Sequence, residues 1–422
     1  MKIILTLLFA LAFLIGCESH SGKRSDGVDI RNGQLAELER VSANTSIGVL
    51  KSEKPIINVY VENSGSMDGY VNGITEFEQS VYNYLSDLKI SRLTDSLNLF
   101  YINSKIIKYG SDIEDFIEKL EPSIFSIRGG NRQATDISNV IKSVLSETYD
   151  NKVSILVTDG IFSPGRGKDA NQFLVNQQIG IKSSVAEYIN NNPSASIIIY
   201  HLSSKFNGKY YNYVNHPIQI NEQRPFYIWI IGDVKLLGEL RKRVPENKFQ
   251  GSGVQNMFSI TTGDKPIDYA VRLGSGKFKL DKLNPKTTIT KWDRDSRGLS
   301  ANLAKFSVDA DLSGFLLDDS YLMNEDNYEL SDKDFSVSVS RAVNNNFGYT
   351  HTLTLSSTMV KKGMLSIKLK SRIPQWVNDV NDDDGSYAIP QKTYGIKYQI
   401  HGVYEAFTFN NDCYTDIKVF MK

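Results

Sequence analysis

Between Pro55 and Arg243 the chain alternates short β-branched runs with stretches of helical period, and this alternation narrows the possible folds more than any other feature. Ile56–Val61 is apolar on both faces, the pattern of a buried strand. Ile74, Phe77, Val81, Tyr84, Leu85 and Leu88 then fall on one side of a helix. Leu97–Ile102 predicts a second strand and Lys105–Tyr109 a short third. Asp112 can cap a helix whose apolar face is Ile113, Phe116, Ile117 and Leu120, and Ile137, Val140, Ile141, Val144 and Leu145 form another stripe. Val153–Thr158 predicts a strand, Gln172–Ile189 a helix, Ser196–Leu202 and Phe226–Ile231 two more strands, and Val234–Arg243 a closing helix. Such alternation implies βαβ crossovers and an α/β fold: a doubly wound, mostly parallel sheet with helices on both faces. Ligand sites in these sheets lie at the carboxyl ends of strands.

The pattern changes after a polar linker, Pro245–Gly253. Phe335–Ser340, His351–Leu355, Met364–Lys370, Ile396–Ile400 and Asp416–Met421 alternate apolar and polar residues, and Ala270–Leu280 and Leu303–Phe315 can add strands. Period-two runs separated by Asn, Gly and Asp clusters predict antiparallel strands with one solvated face, arranged as in a β-sandwich. The expected organisation is therefore an α/β domain over 54–245 and a β-rich domain over 255–422.

Charge and cysteine usage remove several function classes. Lys plus Arg and Asp plus Glu each total 48, so no basic excess is available to neutralise nucleic-acid phosphates. With two cysteines and five histidines, neither a disulfide framework nor a Cys-x-x-Cys zinc site can form. A metal, if used, would be a hard cation held by oxygen. The first residues read as an address. Met1-Lys2 precedes an apolar run, Ile3–Leu14, too short to span a hydrocarbon core of ~30 Å. It ends Leu14-Ile15-Gly16-Cys17, which resembles the bacterial lipobox. That resemblance implies a signal peptide over 1–16, diacylglyceryl and acyl (palmitate-type) modification of Cys17, a flexible tether over 17–53, and anchorage in the bacterial cell envelope, at the outer membrane or the periplasmic face.

Three segments carry hard oxygen donors: Glu62-Asn63-Ser64-Gly65-Ser66 after the first strand, Thr135-Asp136 opening a helix, and Thr158-Asp159-Gly160 closing a later strand. Two carboxylates and three hydroxyls suit a Mg²⁺-like ion. In order, separation and strand context these segments resemble the metal-ion-dependent adhesion site (MIDAS) of the von Willebrand factor A (vWA) domain family, Asp-x-Ser-x-Ser, then Thr, then Asp. The resemblance covers roughly 54–245. It implies that Ser64 and Ser66 ligate Mg²⁺ (or Mn²⁺ or Ca²⁺) directly, that Thr135 does so directly or through water, and that Glu62 and Asp159 act largely through water. Glu62 stands where the family has Asp; the added methylene reaches about 1.5 Å further and can push the ion off centre. Asp68 can compensate from behind the first donors.

Other motifs carry less. Gly160–Arg166 approaches P-loop spacing but has Arg where Lys belongs. Asp379–Gly385 resembles half a calcium loop, without the acidic residue that should close it. His201, at the expected end of a strand, is a base only in principle. The expected function is that of a binding module, not an enzyme: a lipid-anchored envelope protein that holds a protein partner through a divalent cation. A metal-free scaffold with a degenerate site is the alternative, and a metal-assisted hydrolase ranks behind both for want of a general base beyond Glu62 or His201.

Overall fold

The computed structural model describes residues 54–132, 136–263, 266–292, 304–343 and 347–422. The signal segment, Cys17, the tether and Thr135 lie outside them. Glu53–Lys422 forms one compact unit. Its first elements are β1 (Ile56–Glu62), α1 (Glu76–Ile90), β2 (Ser96–Ile102), β3 (Ile106–Gly110), α2 (Ile113–Glu118), α3 (Pro122–Phe125), α4 (Ile137–Glu147), β4 (Lys152–Thr158), α5 (Ala170–Asn191), β5 (Ala195–Tyr211), β6 (Pro217–Asp233), α6 (Val234–Arg243) and β7 (Asn256–Thr261).

These strands make one mixed sheet in the order β3-β2-β1-β4-β6-β5-β7. Alternate residues of each strand face opposite layers, which explains why the strands read as continuous apolar runs. Ile57, Val59, Val61, Val153 and Ile155 pack beneath α1, α2 and α6, while Tyr60, Leu156, Ile197, Ile199 and Trp229 pack beneath α4 and α5. Side-chain caps start the helices: Thr75 accepts from the Glu78 amide, Asp136 from the Ser138 and Asn139 amides, and Asp169 from the Gln172 amide.

The sheet is not mostly parallel. β1 pairs parallel with β2 and β4, but β3 runs antiparallel to β2, and β6, β5 and β7 alternate in direction beyond β4. The reason is a long hairpin. β5 and β6 stay paired from Ala195↔Asp233 to Tyr211↔Pro217 across a tight turn, in which the Asn212 amide donates to the His216 carbonyl (3.1 Å) and Asn215 takes a left-handed φ of 61°. A hairpin return is necessarily antiparallel, so β6 slots between β4 and β5. The half of the hairpin beyond Ser204 alternates buried and exposed residues and stands clear of the sheet as a two-stranded arm.

The later elements are β8 (Tyr269–Val271), β9 (Phe278–Leu280), β10 (Thr288–Trp292), β11 (Ala304–Ala310), α7 (Asp319–Leu322), β12 (Tyr328–Leu330), β13 (Phe335–Arg341), β14 (His351–Ser357), β15 (Gly363–Lys370), α8 (Trp376–Asp379), β16 (Asn381–Asp382), β17 (Thr393–Tyr394), α9 (Ile396–Phe407) and β18 (Cys413–Met421). Two sheets, β12-β15-β18-β10-β9 and β13-β14-β11-β8, are antiparallel except where β10 meets β18. They pool inward side chains such as Phe306, Leu353, Leu355, Leu365, Ile367 and Ile417 in one core. Ile396–Ile400, read as a strand from its alternation, is instead the start of helix α9. Ile396, Ile400, Val403 and Phe407 recur at helical spacing and are buried, and five residues of alternation were too few to separate the two periods.

The two halves interlock. β7, which follows the linker, forms the edge of the first sheet. α9 lies against α5, where Gly402 lets the backbones close up; a Cβ there would sit 2.7 Å from the Gln178 carbonyl oxygen. The apolar core on that face runs without a break from Ile199 and Trp229 to Phe306 and Leu365.

Candidate functional site

β1 and β4 are neighbours in parallel register, Val61 opposite Val157, so their carboxyl ends deliver Glu62, Thr158 and Asp159 to one rim. α1, after β1, and α4, before β4, cover opposite faces. The crevice left between such diverging connections is where open α/β sheets bind ligands. Past Glu62 the chain leaves the sheet at Ser64 in extended conformation and turns through the 3₁₀ segment Gly65–Tyr70.

The turn brings the Ser64 and Ser66 hydroxyl oxygens to 2.9 Å. Glu62 is buried beneath them and accepts a hydrogen bond from the Thr158 hydroxyl. Asp159 is 1% exposed. Its Oδ1 accepts from the Ile161 amide (3.0 Å), while Oδ2 is buried without a hydrogen-bond partner. Burial, followed by the nearby Asp159 charge, pushes the Glu62 carboxyl up to about 8. Burial raises Asp159 too, opposed by the Ser66 hydroxyl, the Ile161 amide and Arg224. Burial thus holds both carboxyls toward the protonated form, and two such groups side by side resist being ionised together.

Several groups fix these donors, and sequence reading missed most of them. Arg132 donates from Nε to the Asn63 carbonyl (2.7 Å) and from its guanidinium to the Ser64 carbonyl (3.2 Å), and its own carbonyl accepts from the Gly65 amide (3.1 Å). The same guanidinium pairs with Asp68, so Asp68 braces Arg132. Asn103 donates to the Asn63 side chain (2.8 Å) and packs against Gly130, where φ is 76° and a Cβ would fall 1.9 Å from Asn103 Oδ1. The pair Gly129-Gly130 was the one available signal for this loop. On the other side the hairpin arm presses on the turn: Gly208 meets Gly69 backbone to backbone, and Tyr211 lies over Gly65. Arg224 of the arm is 1% exposed, donates to the Ile389 carbonyl (2.6 Å) and lies 4.8 Å from the Tyr210 ring centroid. A cation next to proline in a polar stretch carries no sequence signal of burial.

The result is a cavity of about 740 Å³ open to solvent, lined by Glu62, Ser64, Ser66, Arg132, Ile161 and Tyr211 among others. Of the five residues expected to hold metal, Glu62, Ser64 and Ser66 line this cavity, Asp159 is buried close to Glu62 and Ser66, and Thr135 lies outside the described residues. Among the described residues no group of three or more His, Cys, Asp or Glu side chains is arranged for a metal; the cavity wall carries the carboxylates of Glu62 and Asp68 and the hydroxyls of Ser64, Ser66, Ser163 and Tyr211. The orphaned Asp159 oxygen, the adjoining hydroxyl pair and a carboxyl that binds a proton for lack of a counter-charge fit a small hard cation.

His201 does not serve this cavity. It sits inside β5, not at its end, opposite Tyr227, and its ring stacks between Tyr227 (5.5 Å) and Trp376 (5.6 Å). Burial pushes it down to about 4. The acidic run Asp379–Gly385 is a structural turn: Asp382 accepts from the Asp384 and Gly385 amides, Asp383 pairs with Lys397, and the Gly385 carbonyl accepts from Tyr213 at the hairpin tip. Cys413 is a free, half-buried thiol. Among the described residues no helix is long and apolar enough to cross a membrane. No protein-family model, curated protein or solved structure matches the chain.

Proposed function

We propose that this protein is a cell-envelope lipoprotein whose α/β region, akin to a vWA domain, binds a protein partner through a divalent cation held at the ends of β1 and β4. The observation that carries this reading is the buried, unpartnered Asp159 Oδ2 close to Ser66, whose hydroxyl lies 2.9 Å from that of Ser64 on the wall of a cavity open to solvent. Ser64, Ser66 and Asp159 would hold Mg²⁺, Mn²⁺ or Ca²⁺, with Glu62 behind them and Thr135 as a further donor. Such an ion keeps positions for outside oxygens and so supplies electrophilic recognition of a carboxylate. Arg132 and the hairpin arm keep the donors in place, which lowers the ordering cost of binding. Cys17 supplies the membrane anchor in this reading, and neither nucleic acid nor catalysis has a part in it.

The test is thermal stability of the full chain during titration with Mg²⁺, Mn²⁺ and Ca²⁺. A cation at a hundredfold excess over its Kd stabilises by about 2.7 kcal/mol. The expected result is a saturable rise in Tm with at least one of them, abolished by Asp159→Ala. A Tm indifferent to all three ions rejects the cation site in favour of a metal-free scaffold.

A further inference from the structure

A second cleft, of about 760 Å³, runs along the seam where β7 meets α7 and the segment Arg372–Trp376. It shares no lining residue with the cavity at β1 and β4. Its charges are largely spent on one another. Arg241 binds Glu246 (2.6 Å) and the Leu316 carbonyl, Arg341 pairs with Asp319, and Asp318 caps α7 through the Tyr321 amide. Arg372 and Asp326 remain, one of each sign. With four acids against three arginines and most of them already bonded, the cleft offers little to a strongly charged ligand.

What it does offer is oriented neutral polarity around an aromatic plane. Three amides are each anchored at one end. Asn256 Nδ2 meets His201 Nδ1 (2.9 Å), Asn324 Oδ1 accepts from the Asp326 amide (3.0 Å), and Gln375 Nε2 donates to Asp379 (3.1 Å). The opposite ends, Asn256 Oδ1, Asn324 Nδ2 and Gln375 Oε1, take no part in those bonds, and all three residues line the cleft. Trp376 donates its indole N–H to the Met257 carbonyl (3.2 Å) and stacks one ring face on His201 with 7° between the planes. The ring is thus held by two contacts, and it is partly exposed and lines the cleft. A fixed aromatic surface beside preset amide donors and acceptors is the chemistry that receives a pyranose ring, whose C–H face is apolar and whose hydroxyls lie at its edge.

We propose that this cleft binds a neutral oligosaccharide, with Trp376 as the stacking platform and Asn256, Asn324 and Gln375 as the hydrogen-bonding groups. Its site and its test are independent of the cation reading. The experiment is calorimetric titration of the full chain, with chelator present, with trisaccharides of glucose (β- and α-linked), N-acetylglucosamine, mannose and galactose, and tryptophan emission recorded in parallel. Saturable binding of at least one sugar is expected, with a change in emission. Trp376→Ala should weaken it at least about tenfold, the loss of one aromatic contact and its buried area. Because that change also uncovers His201, Gln375→Ala at an exposed position is the second variant. It should weaken binding about three- to tenfold, the worth of one hydrogen bond, with Tm unchanged. Absence of saturable binding with every sugar, or binding that both variants leave intact, overturns the proposal.

Discussion

At the ends of β1 and β4, Glu62 and Asp159 stand buried beside each other, with hydroxyls and amides for company and no ion pair among the described residues. In the seam cleft, Arg241, Glu246, Arg341 and Asp319 have already found one another. The two regions share one continuous framework, yet their electrostatics differ in kind. Like charges taken out of water with only Arg224 nearby and no ion pair are costly to ionise, so the first region favours a proton or an added positive charge. Paired charges ask for nothing more, so recognition in the second falls to amides and an aromatic ring. Whether a buried carboxylate already has its counter-charge decides which kind of ligand a polar cavity can select.

The largest effect expected is at Glu62. Its folded carboxyl keeps a proton to about pH 8, while an unfolded one releases it near 4.5. In metal-free protein the stability from this group is whole below pH 4.5 and falls by several kcal/mol as the pH climbs to about 8. Urea unfolding against pH, with chelator, should show that fall between about pH 6.5 and 8 in the parent and much less of it in Glu62→Gln. Cation affinity should rise over the same window, because the ion competes with the proton. A parent profile already flat would erase the contrast between the two regions.

On the seam side the slope has the opposite sign. Folded His201 stays neutral to about pH 4, whereas the unfolded side chain takes a proton near 6.5. Its contribution is whole above pH 6.5 and is lost, on the order of 3 kcal/mol, as the pH falls toward 4. His201→Gln should remove this acid sensitivity and loosen Trp376, seen as a shift in tryptophan emission.

A smaller effect separates the regions mechanically. Gly208→Ala puts a Cβ 2.7 Å from Gly69 Cα and should cost about 2 kcal/mol. Because the strain falls on the turn that carries Ser66, the cation response should weaken while binding in the seam cleft persists. The smallest change is expected for Arg132→Lys, which cannot reach the Asn63 and Ser64 carbonyls together; about 1 kcal/mol should be lost. Hydrogen exchange at Gly65 should report it, since that amide is held by the Arg132 carbonyl.

Much of the cavity at the ends of β1 and β4 was legible in the chain. A β-branched run that stops at Glu62 or Thr158 marks a strand end, and clustered Ser, Asp and Gly mark the loop beyond it, so the rim residues could be named by local rules alone. The helix stripe from Ile74 to Leu88 matched a buried face except at Ile74, which precedes the helix and is 86% exposed, and that from Ile137 to Leu145 matched throughout. The insertion of β6 beside β4 was not legible, because strand order depends on a turn at Asn212–His216 and on which edge is left unpaired, neither of which a period reveals. Nor was α9, where five residues fit two periods until α5 supplied a surface to bury them against.

Local chemistry in the sequence thus determined which residues leave strand ends and what donors they carry, since hydrophobic period and turn preference act over a few neighbours. Tertiary structure alone decided that Arg132 clamps the turn, that Arg224 is buried, that His201 stacks under Trp376 and that the seam amides face a common cleft. Those relations join residues scores of positions apart, and burial, which sets the charge of Glu62 and His201 alike, is a property of the assembled packing and not of any segment.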